Sequence, residues 1–219
     1  MNSSLVHQDN NLIVLNKVNG VSFHAEDKKS GFFAETEARF NEKLWPVHRL
    51  DKVTSGLLML ARNKETATIV SSLFESKKIN KVYLAISNRK PKKKQGLIIG
   101  DMEKARNGSW KLAHSKHNPA VTRFFSCSMG DGMRLYWLLP QTGKTHQLRV
   151  AMKSIGAPIL GDSRYGGDKS DRTYLHAYQI NFEMHKTPFK YQCSPETGEF
   201  FYGQPFLDSL KFLVENHAQ

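Results

Sequence analysis

The segment His48-Arg49-Leu50-Asp51 sets a carboxylate two residues from a guanidinium, just ahead of the apolar run Leu57 to Ala61. An ionised carboxylate on a loop can attack carbon as a nucleophile or take a proton as a general base, and a neighbouring cation keeps it charged. The commoner use of such an aspartate is to hold a turn by bonding nearby backbone. Two other groups of residues invite chemistry and fall short. Thr142-Gly143-Lys144-Thr145 has the end of a phosphate-binding P-loop, but that loop needs a glycine five residues before Gly143, where Leu138 stands. Without it the amides cannot wrap a triphosphate, although the segment can still meet one phosphate at a helix N-terminus. Among nine histidines, His114 and His117 lie close in sequence, but no carboxylate or cysteine cluster joins them, and no metal is expected.

The chain around these residues has 219 positions, 39% hydrophobic and 11% aromatic, enough for a core. One domain over 1–219 is expected. Lys and Arg number 32 against 20 Asp and Glu, a net charge of +12. Such an excess favours a polyanionic partner, because each contact to phosphate releases counterions; a merely solvated basic surface is the alternative. Cys127 and Cys193 form neither a disulfide framework nor a zinc spacing, which suits a reducing compartment. Met1 to Asn16 has no secretory pattern, and no run is long enough to span a membrane, so a soluble cytoplasmic monomer is expected.

The elements that must position the candidate residues can be read from pattern. Leu12 to Leu15 is a strand closed by the turn Asn19-Gly20, and Leu57 to Ala61 a second strand after the turn Thr54-Ser55-Gly56. Ala67, Val70, Leu73 and Phe74 recur at helical spacing over Glu65 to Lys78, with Asn63 as cap and Lys77 and Lys78 at the negative end of the dipole. In the strand Lys81 to Ser87, Tyr83 and Ala85 face away from Val82, Leu84 and Ile86. Pro91 to Asn118 reads as a long basic hairpin or surface excursion. Val121 to Cys127 and Met133 to Leu139 pair about Met129 to Gly132, and His146 to Ile155 is a short helix stopped by Gly156 and Pro158. Ala177 to Phe182 and Phe189 to Cys193 form a hairpin, and Phe206 to Val214 a closing amphipathic helix. Hairpins outnumber helical crossovers, so the expected class is α+β with a mainly antiparallel mixed sheet and flanking helices.

The stretch from His48-Arg49-Leu50-Asp51 through Thr54-Ser55-Gly56 to Ala61 resembles the catalytic motif of the RluA-type pseudouridine synthases. Asn16-Lys17-Val18-Asn19-Gly20, ending at His24, is similar to the family's first motif. Gln141-Thr142-Gly143-Lys144-Thr145-His146-Gln147-Leu148-Arg149-Val150 is similar to its third, running on into Gly156-Ala157-Pro158 and Gly161-Asp162-Ser163-Arg164-Tyr165-Gly166. Tyr174-Leu175-His176-Ala177 resembles a later signature. These blocks are collinear over most of the chain, far more specific than one short motif.

The resemblance implies an enzyme that isomerises uridine in structured RNA, a ribosomal or transfer RNA stem-loop, without cofactor or metal. It implies that Asp51 is the essential carboxylate, attacking C1′, attacking C6 or removing a ribose proton. It implies that Arg149 keeps Asp51 charged, and that Tyr83 stacks on the uracil. On a helix starting near Thr145, Arg149 would share a side with Thr145 and His146. The base must leave its stack, at a cost of a few kcal/mol; by resemblance Arg49 fills the vacated space and Leu175 lines the uracil pocket. Lys17, Lys144 and His146 are expected at the RNA, and Lys90, Lys92, Lys93 and Lys94, in a window without Asp or Glu, are expected to supply affinity. Val18 replaces the usual proline, Lys144 replaces an arginine and so loses a bidentate fork, and Ala151 stands where many members have histidine. No N-terminal S4-type domain is recognisable, so recognition is expected from the catalytic domain. The competing reading is a non-catalytic RNA-binding or RNA-folding protein on the same fold.

Overall fold

A computed structural model describes residues 3–25 and 31–217; residues 1–2, 26–30 and 218–219 of the expected domain lie outside the described residues. In chain order the strands and helices begin with β1 (Ser4–Gln8), β2 (Leu12–Lys17), α1 (Phe32–Phe40), β3 (Trp45–Pro46), β4 (Ser55–Ala61), α2 (Lys64–Glu75) and β5 (Asn80–Ser87). They continue with β6 (Gln95–Gly100), β7 (Met102–Lys104), β8 (Trp110–Leu112), β9 (Ala120–Gly130), β10 (Met133–Pro140) and α3 (Gln147–Ser154). The last are β11 (Leu175–Met184), β12 (Thr187–Gln192) and α4 (Gln204–His217). The chain divides into two compact units, residues 1–81 with 176–195, and residues 82–175 with 196–219. The class is α+β and mainly antiparallel.

In the first unit the strands run β1, β2, β4, β11, with β12 on β11 and β3 on β4. β2 and β4 pair antiparallel from Leu12 opposite Ala61 to Lys17 opposite Gly56. Every residue of both is buried, so their sequences show continuous apolar runs rather than alternation. β4 meets β11 in parallel at Ser55 and Gly56. Gly56 therefore lies in a strand, not in the expected turn, and glycine is needed there. Its φ is +108°, and a Cβ would fall 2.3 Å from the Ala177 carbonyl oxygen. β11 and β12 are joined by His185 and Lys186, both at positive φ (52° and 63°), a two-residue hairpin made without glycine. That turn lets the strands run two residues further than their sequence suggested. In α2 the Asn63 side chain accepts the Thr66 amide at 2.8 Å, the expected cap. The helix stops at Glu75 and Lys77 has φ 59°, so Lys77 and Lys78 follow it instead of closing its last turn.

The second unit has the antiparallel order β5, β10, β9, β6. β9 and β10 turn at Asp131 and Gly132, both at positive φ. The expected excursion from Pro91 to Asn118 resolves into β6, which pairs with β9, and a separate hairpin of β7 and β8. α4 carries Pro205 in its first turn, where the missing N–H costs nothing, and buries Phe206 and Leu213. α3 begins at Gln147, because His146 adopts the left-handed conformation at φ 57°.

Candidate active site

Asp51 is half-buried on the turn that feeds β4. Its carbonyl accepts the Thr54 amide at 3.0 Å, and the next carbonyl, that of Lys52, accepts the Gly20 amide at 2.8 Å. The Lys17 ammonium reaches the same Lys52 oxygen at 3.5 Å, and those of Val18 and Val21 at 2.9 Å each. A buried ammonium is costly unless its N–H groups find acceptors, and these carbonyls provide them. Lys17, expected at a phosphate, has no exposed surface. It is a brace for the Asp51 turn, which corrects that expectation and explains why the first motif matters to the second. Val18 also gains a use: its amide donates to the Ser3 hydroxyl at 3.3 Å, a bond proline could not form.

Two histidines fix the ends of this turn. Where β3 has already left β4, the His48 Nε2 accepts the Met59 amide at 2.9 Å, an imidazole doing the work of a strand carbonyl. The His48 ring stacks on Phe74 of α2 with centroids 4.9 Å apart. Burial, with the Lys81 charge second, pushes its pKa down to about 3, so the ring stays neutral and its Nε2 lone pair remains an acceptor. At the other end, fully buried His176 holds Ser55 Oγ at 2.8 Å through Nδ1 and the Cys193 carbonyl at 2.9 Å through Nε2. A carbonyl only accepts, so Nε2 carries the hydrogen and the Ser55 hydroxyl donates to Nδ1. Arg49, between these anchors, is exposed. The turn thus holds half-buried Asp51 in a fixed place, which suits attack on a positioned carbon or removal of a positioned proton.

In the second unit Arg149 is 5% exposed and Asp162 is 1% exposed. They form a two-pronged ion pair, Nε to Oδ2 at 2.7 Å and Nη2 to Oδ1 at 2.8 Å. The guanidinium also lies over the Tyr165 ring, 4.9 Å from its centroid. The Tyr165 hydroxyl accepts the Trp110 amide at 3.0 Å and lies 2.7 Å from His146 Nδ1. Burial raises the Tyr165 pKa, so the hydroxyl keeps its hydrogen and can donate it to His146. His146 and Arg149 therefore meet through Tyr165, not along one helix face, because α3 starts after His146. The loop before α3 is latched by Gln147. Its Oε1 accepts from Thr142 Oγ1 (2.7 Å) and the Lys144 amide (3.0 Å), and its Nε2 donates to the Val121 carbonyl and Thr122 Oγ1. Gly143 and Lys144 thus belong to a side-chain-locked bend.

The remaining expected residues are placed as follows. Tyr83 is half-buried between buried Val82 and Leu84, opposite Leu138 of β10. Lys144 Nζ donates to Asn118 Oδ1 at 2.9 Å. Leu175 is buried, and its carbonyl accepts from Arg172 Nη2 at 3.4 Å. Lys90, Lys92, Lys93 and Lys94 are all exposed, and the Lys92 amide donates to the Ile155 carbonyl at the end of α3. Sequence reading missed Asp162, Tyr165, His48 and His176 as positioning groups. The sole signal for the first two was their presence in the block after the third motif. Among the described residues no cluster of three or more His, Cys, Asp or Glu is placed to hold a metal, and no helix is long and apolar enough to cross a membrane.

Residues 11–154 match the family model described as RNA pseudouridylate synthase. A Haemophilus influenzae protein described as an uncharacterized RNA pseudouridine synthase is 54% identical over 217 residues, covering 98% of this chain and 97% of its own. The Borreliella burgdorferi ribosomal large subunit pseudouridine synthase D is 35% identical, covering 97% of this chain and 72% of its own. The solved structure of human RNA Pseudouridylate Synthase Domain Containing 1 has a TM-score of 0.78 at 23% identity, covering 98% of this chain and 95% of that one, and shares the fold.

Proposed function

The chain belongs to the RNA pseudouridylate synthase family of RNA uridine isomerases, and from that premise we propose that it converts uridine to pseudouridine in a stem-loop of ribosomal or transfer RNA, with Asp51 as the reacting carboxylate. One observation carries the assignment of Asp51. The family's first and second motifs converge on a single peptide group: the Gly20 amide and Lys17 ammonium both bond the Lys52 carbonyl, the residue after Asp51. A turn bonded this heavily at its backbone holds its carboxylate where a nucleoside can be brought to it, and fixed geometry is what such chemistry needs. Attack at C1′, attack at C6 and removal of a ribose proton all require that carboxylate ionised.

Tyr83 is assigned to the uracil ring. Arg149, oriented by Asp162, is assigned to the electrostatics of the reacting centre, and Arg49 to the space left by the flipped nucleotide. Leu175 belongs with the base pocket, Lys144 and His146 with the RNA-facing end of α3. Lys90, Lys92, Lys93 and Lys94 are assigned to phosphates. No cofactor or metal enters this scheme.

The test is Asp51→Asn, a change that keeps the shape and removes the charge. Tritium release from bulk RNA made with 5-tritiated uridine should fall to background, while RNA affinity stays within a few fold. Release at the wild-type rate would remove Asp51 from the chemistry.

A further inference from the structure

The β7–β8 hairpin contributes nothing to the sheet of its unit, yet it is pinned to the rest of that unit at two points. The Trp110 amide donates to the Tyr165 hydroxyl at 3.0 Å, and Arg164 Nη1 donates to the Asn107 carbonyl at 3.0 Å. Its tip is rigid. The Ala105 amide bonds the Ser109 carbonyl at 2.9 Å, and the Arg106 carbonyl accepts both the Ser109 amide and its hydroxyl. Asn107 takes the left-handed conformation that closes the bend.

The charges on this hairpin are sorted. Residues 102–118 carry Lys104, Arg106, Lys111 and Lys116 against the single acid Glu103. Glu103 is paired with Lys111 at 3.0 Å. At the base, the two oxygens of Asp101 take the amides of His117 and Asn118. The tip therefore presents Lys104 and Arg106, both exposed, on a stiff support. A backbone already ordered at the tip has less freedom to lose when its cations meet a phosphate, which suits it to gripping a nucleic-acid backbone.

The anchor of the hairpin is also the side chain under Arg149. Tyr165 touches Trp110 and His146 with its hydroxyl and the Arg149 guanidinium with its ring. We propose that the β7–β8 hairpin is an RNA-gripping arm, in which Lys104 and Arg106 contact phosphates and Tyr165 seats the arm on the helix that bears Arg149. This rests on the reading that the chain acts on RNA. A grip by the arm then fixes the RNA relative to Arg149 through one shared side chain.

The experiment compares two double variants of equal charge change, Lys104→Ala/Arg106→Ala on the arm and Lys186→Ala/Lys190→Ala on the exposed β11–β12 hairpin. Filter binding of an RNA stem-loop across a salt series should show the arm variant's log–log slope smaller by about two, near one per lost contact. Its KM for tritium release should rise about tenfold or more. The Lys186/Lys190 variant should keep the wild-type slope and KM; equal slopes and KM values in both variants overturn the arm. Tyr165→Phe keeps the ring beneath Arg149 and deletes only the hydroxyl. It should raise KM more than it lowers kcat, and speed hydrogen exchange at the Trp110 amide. A fall in kcat alone, with KM and exchange unchanged, overturns the seat. If the wild-type protein binds RNA but releases no tritium, the isomerase reading falls, while the binding slopes still decide the arm.

Discussion

The turn that carries Asp51 is held mainly through peptide groups: Thr54 to Asp51, Gly20 to Lys52, and three carbonyls gathered on the Lys17 ammonium. Arg149 and the bend before its helix are held mainly through side chains: the carboxylate of Asp162 and the ring of Tyr165 on the guanidinium, and the amide of Gln147 across the bend. Every residue brings a peptide group, so the first kind of support survives most substitutions of its neighbours. The second depends on identity at each position, and one change removes it. Asp51 is thus placed by redundant backbone bonds and Arg149 by specific partners.

The sharpest way to break this contrast is Asp162→Ala. It leaves the Arg149 guanidinium buried without its partner and should cost about 3–5 kcal/mol in urea unfolding. A loss under 1 kcal/mol would mean that Arg149 does not depend on that carboxylate. Lys17→Met tests the buried ammonium that gathers the carbonyls around the Asp51 turn. The carbonyls of Val18 and Val21 lose their donor, but the Gly20 amide still holds Lys52, so about 1–3 kcal/mol should be lost. A larger loss than for Asp162→Ala would reverse the comparison. The smallest effect concerns His48. Its folded pKa of about 3 lies below the ordinary 6.5, so between those values the unfolded chain binds a proton that the folded chain refuses. This contribution is present in full above pH 6.5 and is lost as pH falls, at up to about 1.4 kcal/mol per pH unit. In His48→Phe the stability difference between pH 7 and pH 5.5 should shrink accordingly. An unchanged difference would show that His48 is not held neutral.

Much of this could be read from the chain because the signal was local. The runs of β2 and β4, the Asn63 cap, the β9–β10 turn and the parity that sets Tyr83 apart from Val82 and Leu84 each depend on a few consecutive residues. β1 was silent because it has no fully buried residue to create alternation. α1 was silent because Phe32 and Thr36 alone are buried and Gly31 offers no side-chain cap. Asp51, Tyr83 and Arg149 stand out in the sequence through the motifs that hold them, but the groups that position Asp51 and Arg149 do not. Asp162 lies 13 residues beyond Arg149 across a bend, and His176 lies 121 residues from Ser55, spacings that no periodicity encodes. Lys17 was misplaced for the same reason: nothing in its neighbours announces that β2 would bury it.

An imidazole that completes the edge of β4 constrains that strand less than another strand would. A neighbouring strand would tie residue to residue and forbid any change in length, whereas His48 tethers the chain at one point. The register of β4 against β2 is then set by their own pairing from Leu12 opposite Ala61 to Lys17 opposite Gly56, and the span from Arg49 to Thr54 takes its shape from its own backbone bonds without imposing a register on β4.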